Sequence, residues 1–397
     1  EGTLEHMIEL DYILNQFSKV KVNKMKPVIR NILRSAVYQL KYMDSVPDSA
    51  VCNEAVKLAV KKGFGTLRGF VNGVLRNVAR GLDQVEYPKE GIPRLSVCYS
   101  MPEWILSLWE KSYDLSAIET MLQAFQKETP VTIRCNLAKT TPEELKQSLE
   151  QEGVTVISHP YLSYAFWIRG YDHLAELSSF QKGEFYVQDI SSMLVGEIAA
   201  PNAGDQVIDV CAAPGGKALH IAEKLQGTGS VEARDLSPYK VGLIEENIER
   251  SGLTNIRAVR QDATMFDSTA EETADLVIAD LPCSGLGVLG KKTDLKYKAT
   301  EQGTKELAEL QKEILKNAAR YVRHGGVLIY STCTINPAEN MENVHWFLKE
   351  FSEFTLAPIA DKLCSKLRKS VQETGCLQLL PGIHDSDGFF IARFEKK

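Results

Sequence analysis

The chain has 397 residues, 44% of them hydrophobic and 25% charged, with a formal net charge of -6 and eight cysteines. That length exceeds what one ordinary core fills, so two or three domains are expected, and no apolar run approaches the roughly 20 residues of a membrane span. The cysteines form no CxxC pair and no Cys/His metal spacing, which argues against a disulfide framework and a zinc site and favours a reducing cytoplasm, while the acidic balance lowers the expectation of a nucleic-acid partner without locating a basic groove.

The opening EGTLEHMIELDYILNQF has neither the order of a signal peptide nor an initiator Met, and reads as a truncated or processed end. From Lys24 to about Arg80 apolar residues recur at helical spacing: Val28, Ile32, Leu33 and Val37, then Val51, Ala55 and Leu58, then Phe70, Val71, Val74 and Leu75. Residues 1–82 are therefore expected to be all-helical, with Asp48 and Ser49 capping the second helix and Gly63 and Gly65 breaking the chain before the third. Gly81 to Pro93 reads as a linker. Helices at 102–111 and 116–127, a strand at 131–136, a helix opening at Thr141-Pro142 and a strand at 153–158 make a small α/β unit over 94–180.

After Ala200, strands and helices alternate at the spacing of parallel βαβ units. The spacing predicts strands at 206–210, 230–235, 255–260, 275–280 and 326–331, with apolar runs suited to burial on both faces, and an antiparallel edge strand in GFFIARFEKK.

Three constellations sit at the ends of these strands. DVCAAPGGKALHIAEKL passes from a strand through a turn of small residues into a helix, and Ala212, Ala213, Gly215 and Gly216 leave room for backbone amides to approach a ligand. A tight turn with no ligand is the bland alternative; neither GxGxxG nor the Walker spacing is present. Asp235 and Asp262 end the next two strands. Asp235 is placed to accept from ribose hydroxyls and Asp262 to hold an adenine amino group, although each is equally a turn or cap residue. DLPCSGLGVLGKKTDLKYK and YSTCTINPAEN then place Cys283 and Cys333 at neighbouring strand ends. Lone cysteines are usually small buried hydrophobes, but two at one sheet edge beside a ligand turn suggest chemistry.

CAAPGGK, DLPCSGLG and YSTC, in this order and spacing, resemble the Sun/Fmu family of 16S ribosomal RNA (cytosine-5)-methyltransferases. GFVNGVLRNVAR (69–80) resembles the NusB-like helical domain, here without its first helices, and MPEW and DSDGFFIARF also follow the family's order. The resemblance implies an α/β fold: a class I (Rossmann-like) methyltransferase domain at 181–397 with a mostly parallel sheet, preceded by the small α/β domain and the NusB-like RNA-binding domain. It implies S-adenosyl-L-methionine as cofactor and 16S rRNA as partner, naked or partly assembled, with the protein a cytoplasmic monomer. Carried over residue by residue, it makes Cys333 the nucleophile and Cys283 the thiol of product release. It makes Cys211, Ala212, Ala213, Pro214, Gly215, Gly216 and Lys217, with Asp235, Asp262 and Asp280, the cofactor site, and Asp280 also faces the cytosine.

The chain departs from the family pattern at Gly290-Lys291-Lys292-Thr293-Asp294, where an arginine and a proline are usual. Lys291, Lys292, Lys296 and Lys298 around Tyr297 still form a basic stretch suited to phosphate contact and stacking, the bland alternative being a solvated loop. Glu342-Asn343-Val344 matches a tripeptide of DNA cytosine methyltransferases, which would make Cys283 the nucleophile, but it lies in a helical stretch and reads as helix surface. His220, His324 and His345 read as structural. A methyltransferase of DNA or of a small molecule is the rival enzyme; an RNA-binding or assembly factor that kept the fold is the rival without catalysis.

Overall fold

The structure, a computed structural model, describes residues 2–397. Two compact units divide the chain. The first runs to Gln126 and includes Leu289–Lys298; the second comprises Lys127–Val288 and Ala299–Lys397.

The first unit is helical. Its longest helices are Met7–Phe17, Pro27–Tyr42, Asp48–Lys61, Arg68–Gly81 and Leu115–Gln126. In Pro27–Tyr42 the buried face is Ile29, Ile32, Leu33, Ala36 and Val37, a repeat of three and four residues that forms one stripe. Val28 falls off that stripe and is exposed, as is Leu58, whose place in the core is taken by Ala59. Asp48 does not cap: Pro47 holds the capping position with no side-chain bond, and Asp48 lies in the first turn, where a carboxylate suits the positive end of the helix. Gly63 does end that helix, with a φ of +86° that a Cβ would strain. Helices Glu103–Glu110 and Leu115–Gln126 belong to this unit rather than to the strands that follow them. Among the described residues no helix is long and apolar enough to cross a membrane.

The second unit holds two sheets. The smaller is antiparallel, with β1 (Val131–Cys135), β2 (Thr155–Ser158), β3 (Ala165–Arg169) and β4 (Phe185–Val187) in the order β2-β3-β1-β4. Helix Pro142–Gln151 opens on a capping box: Thr141 Oγ1 accepts from Glu144 N while the Glu144 carboxylate accepts from Thr141 N.

The larger sheet carries β5 (Gln206–Asp209), β6 (Ser230–Asp235), β7 (Ile256–Arg260), β8 (Ala274–Asp280), β9 (Val322–Thr332), β10 (Phe354–Leu356), β11 (Val371–Gln372), β12 (Cys376–Leu379) and β13 (Phe389–Lys396). Strand order is β11-β12-β13-β9-β8-β5-β6-β7, with β10 on β13. The run from β7 to β9 is parallel, and β13 joins β9 antiparallel, as GFFIARFEKK predicts. Leu276 and Ile278 point into one apolar layer, Val277 and Ala279 into the other, so β8 is buried on both faces as parallel strands are. The chain builds outward from β5 to β7 and then returns to place β8 on the other side. That reversal, between β5 and β8, is the switch point at which open α/β sheets place a ligand crevice, at the carboxyl ends of the strands.

Candidate active site

Five strands, β5 to β9, bring their carboxyl ends to this side of the sheet. β5 stops at Asp209, a turn follows, and helix Gly216–Lys224 begins. Gly215 sits at its N-cap with φ +106°, a conformation that favours glycine and lets the chain enter the helix directly from the turn. Asp235, at the end of β6, is buried and braces the turn. Its Oδ2 accepts from Ala213 N at 3.0 Å, and its Oδ1 accepts from Leu236 N at 2.8 Å and lies 3.2 Å from Lys240 Nζ. Asp262, after β7, folds onto its own loop, Oδ1 accepting from Thr264 N at 2.9 Å and Oγ1 at 2.7 Å.

These two acids have apolar company. Leu236 is 57% exposed and Met265 63%, both uncovered at the ends of adjacent strands. Asp209 is fully buried, its Oδ1 accepting from Cys211 N at 3.3 Å while Oδ2 has no partner. Burial, and then the Asp280 carboxylate, push its carboxyl up to about 7 against the pull of Lys217. Small-residue turn, carboxylates at successive strand ends and bare apolar side chains fit a nucleoside-bearing cofactor: backbone for its charged end, acid for ribose, hydrocarbon for a base. Cys211 belongs to this turn through its backbone. Its thiol is pushed far up by burial, then by Asp209 and Asp235, which disfavours the thiolate.

Across the crevice, parallel register sets Asp280 of β8 beside Ser331 of β9. Ser331 Oγ donates to Asp280 Oδ1 at 2.7 Å, and Lys217 Nζ lies 2.7 Å from Asp280 Oδ2. Burial works against the Lys217 charge, but Asp280, Asp209 and the Cys333 sulfur outweigh it and hold the ammonium above its ordinary range. The same register brings the two cysteines together, three residues past Asp280 and two past Ser331: Cys283 Sγ and Cys333 Sγ are 3.2 Å apart. The Cys283 thiol is pushed well up by its hydrogen bond to Cys333 and by burial, with the Cys333 and Glu339 charges adding to both. Either sulfur can donate to the other at that distance.

The motif order concealed three groups. Ser331 and Glu339 lie inside the quoted YSTCTINPAEN segment, and Asp209 opens the first motif, but only tertiary contacts give them partners.

The basic stretch is not part of this crevice's unit; it belongs to the first unit with Leu289–Lys298. Lys291, Lys292 and Lys298 are exposed, and Lys298 pairs with Asp294 at 2.6 Å. Lys296 corrects the expectation of a phosphate contact. It is 4% exposed, its Nζ donates to the Glu5 carbonyl at 2.9 Å, and burial lowers it to about 8. Tyr297 is half-buried and its hydroxyl donates to the Ser100 carbonyl at 3.3 Å, which removes it as a free stacking surface. The short helix Leu295–Lys298 turns both side chains inward. Glu342 is exposed on helix Met341–Glu350 while Asn343 and Val344 are buried, so the tripeptide lies on a helix as expected but only Glu342 is helix surface. His220 is buried, with Nε2 3.2 Å from the Tyr164 hydroxyl; His345 pairs with Glu373 at 2.9 Å on the surface, where His324 is also exposed.

Three family models match: 16S rRNA methyltransferase RsmB/F over 197–395, NusB over 1–80, and the RsmF/B-like ferredoxin-like domain over 101–171. A probable ribosomal RNA small subunit methyltransferase B of Bacillus subtilis is 38% identical over all of this chain and 89% of its own length. One from Synechocystis is 34% identical with the same coverage, 100% and 89%. The solved structure of PH0851 superposes with a TM-score of 0.85 at 27% identity, covering 100% of this chain and 88% of its own. A methyltransferase homolog from Pyrococcus horikoshii shares the fold, with a TM-score of 0.66 at 24% identity over 78% of this chain and 100% of its own. With its NusB-like helical start and its mixed sheet, the chain belongs to the RsmB/F family of rRNA methyltransferases, which use S-adenosylmethionine.

Proposed function

We propose that the protein methylates carbon 5 of a cytosine in 16S rRNA through a covalent adduct on Cys333. The observation that carries this reading is the 3.2 Å approach of the Cys283 and Cys333 sulfurs beside the Lys217–Asp280 pair. Carbon 5 of cytosine is a weak nucleophile, so chemistry there needs a prior addition at carbon 6, which a thiolate performs well. The cofactor supplies an electrophilic methyl group, held by the Cys211–Lys217 turn with Asp235 toward the ribose and Asp262 toward the adenine.

The chain's own residues do the rest. The Lys217 ammonium favours the thiolate of Cys333, which bonds to carbon 6 and delivers the electron pair of the 5,6 double bond to carbon 5. Asp280, fixed by Ser331 and Lys217, faces ring nitrogen 3 as charge develops there. Once carbon 5 is methylated, its proton leaves to water, the sulfur–carbon 6 bond breaks, and the Cys283 S–H donates to the departing sulfur. Lys291, Lys292 and Lys298 are the phosphate contacts of this reading, on a protein acting as a cytoplasmic monomer on naked or partly assembled RNA.

The test is a pair of variants incubated with substrate RNA and S-adenosylmethionine. Cys333→Ala is expected to lose methyl transfer and any covalent complex; Cys283→Ala is expected to accumulate a complex that survives a denaturing gel. The opposite bands would assign attack to Cys283, as in the DNA enzymes.

A further inference from the structure

Building on that two-cysteine reading, we propose that Glu339 is a positioning residue that ties the two cysteine loops together and fixes which sulfur attacks and which serves in release. Glu339 is 0% exposed, at the end of the short turn Pro337–Glu339. Its Oε2 accepts from Ser284 N at 2.8 Å and from Gln311 Nε2 at 3.1 Å, and its Oε1 accepts from Asn336 Nδ2 at 2.8 Å. Ser284 directly follows Cys283, and Asn336 lies three residues after Cys333. One buried carboxylate is therefore bonded to both loops. A second clasp runs alongside, Ser284 Oγ to Thr334 Oγ1 at 2.8 Å, and the Tyr330 hydroxyl donates to the Glu339 carbonyl.

The donor pattern argues that the charge itself matters. Three N–H groups converge on two oxygens, the arrangement of an acceptor-only carboxylate. A glutamine of the same size would set its own N–H against at least one of those donors. The resulting field is asymmetric. The Glu339 charge acts against a thiolate on Cys283, while the Lys217 ammonium acts in favour of one on Cys333. Two thiols in contact share one negative charge between them. Burial of Cys283 and the Lys217 ammonium already bias that charge toward Cys333, and Glu339 adds to the bias while its bonds hold both loops in the register that keeps Cys283 beside the breaking sulfur–carbon bond.

The experiment compares the full chain with Glu339→Gln, using iodoacetamide and peptide mass spectrometry to follow alkylation of each cysteine against pH. In the unaltered protein Cys333 is expected to react at lower pH than Cys283. In Glu339→Gln the Cys283 curve is expected to move down by about one pH unit, the scale of one nearby charge in a partly screened site, and turnover with RNA is expected to slow at release, with covalent complex accumulating. A folded Glu339→Gln protein with an unmoved Cys283 curve overturns the proposal. Should that variant fail to fold, Glu339→Asp keeps the charge but withdraws it from Ser284 N. It is expected to preserve the order of alkylation and slow turnover, and unchanged turnover overturns the proposal. The underlying assignment is judged separately, without Glu339 variants: an adduct formed by Cys333→Ala sinks it and this proposal together, whatever the alkylation curves show.

Discussion

Lys217 Nζ lies 2.7 Å from Asp280 Oδ2, a contact between the helix that leaves the cofactor turn and the end of β8. The pair joins the two halves of the crevice. Replacing Lys217 with Met removes the cation that orients Asp280 and acts on Cys333, so kcat is expected to fall about 100-fold, the scale of losing one preorganised electrostatic partner. The acid limb of the pH–rate profile is expected to move to higher pH, since Cys333, the proposed nucleophile, loses its neighbouring charge. A full pH–rate curve on Lys217→Met checks both, and an unmoved acid limb would detach Lys217 from the nucleophile.

Asp235 braces the turn through Ala213 N and is the proposed ribose ligand, so its removal strikes cofactor binding twice. Asp235→Ala is expected to weaken S-adenosylmethionine binding by about 1.5–3 kcal/mol, the usual cost of losing a hydrogen bond to a charged partner. Calorimetry without RNA measures this directly. Asp235→Asn, which can still accept from Ala213 N, is expected to lose less; equal losses would mean that the charge, not the brace, does the binding.

The buried carboxyl of Asp209 gives a stability signature. Burial and the Asp280 charge raise it to about 7 from an ordinary 3.8, so between these values the folded chain keeps a proton that the unfolded chain has released. Its stabilising contribution is complete below pH 4, declines as pH rises through 7, and changes no further above that. Asp209→Asn has no such proton to lose. Relative to the unaltered protein it is expected to gain on the order of 3 kcal/mol between pH 5 and pH 8, read as the difference of urea midpoints at several pH values. A constant difference across that range would show that Asp209 titrates normally.

How far the sequence reveals the site depends on how local each cause is. Strand β6 is predicted residue for residue, and β13 is predicted as an antiparallel edge, because two-residue periodicity and apolar runs are written into short segments. The positions of Cys283 and Cys333 at adjacent strand ends follow from the same patterns. Their 3.2 Å approach does not, since it requires Asp280 to stand beside Ser331 in register. Glu339 is concealed more deeply: its bond to Ser284 N spans 55 residues and depends on how the loop after β9 folds back. Lys296 shows the opposite failure. Four lysines around a tyrosine read as a basic stretch for phosphate contact, yet a single turn of helix points one of them inward to the Glu5 carbonyl. Composition counts charges; only geometry says which way each one faces.

The last prediction concerns what holds the small sheet to the cofactor helix. Arg134 on β1 is 0% exposed, its Nε donating to Gln188 Oε1 at 2.7 Å and its Nη1 pairing with Glu223 Oε2. Its guanidinium carbon lies 4.3 Å from the centre of the Tyr186 ring, and Glu223 Oε1 accepts from Leu137 N at 2.7 Å. Glu223 sits near the end of helix Gly216–Lys224, the helix that opens at the cofactor turn. A buried pair of this kind is costly to half-remove, because the surviving charge stays desolvated without its partner. Arg134→Met is therefore expected to destabilise the protein by about 3–5 kcal/mol, with Glu223→Leu in the same range. The double variant replaces both charges by hydrocarbon of similar length, so most of that loss is expected to return, leaving a strongly non-additive cycle. Denaturant titration of the four proteins gives the coupling. Additive losses would mean that the guanidinium acts through Gln188 and Tyr186 rather than through Glu223, leaving the Leu137 N–Glu223 bond as the polar link between sheet and helix.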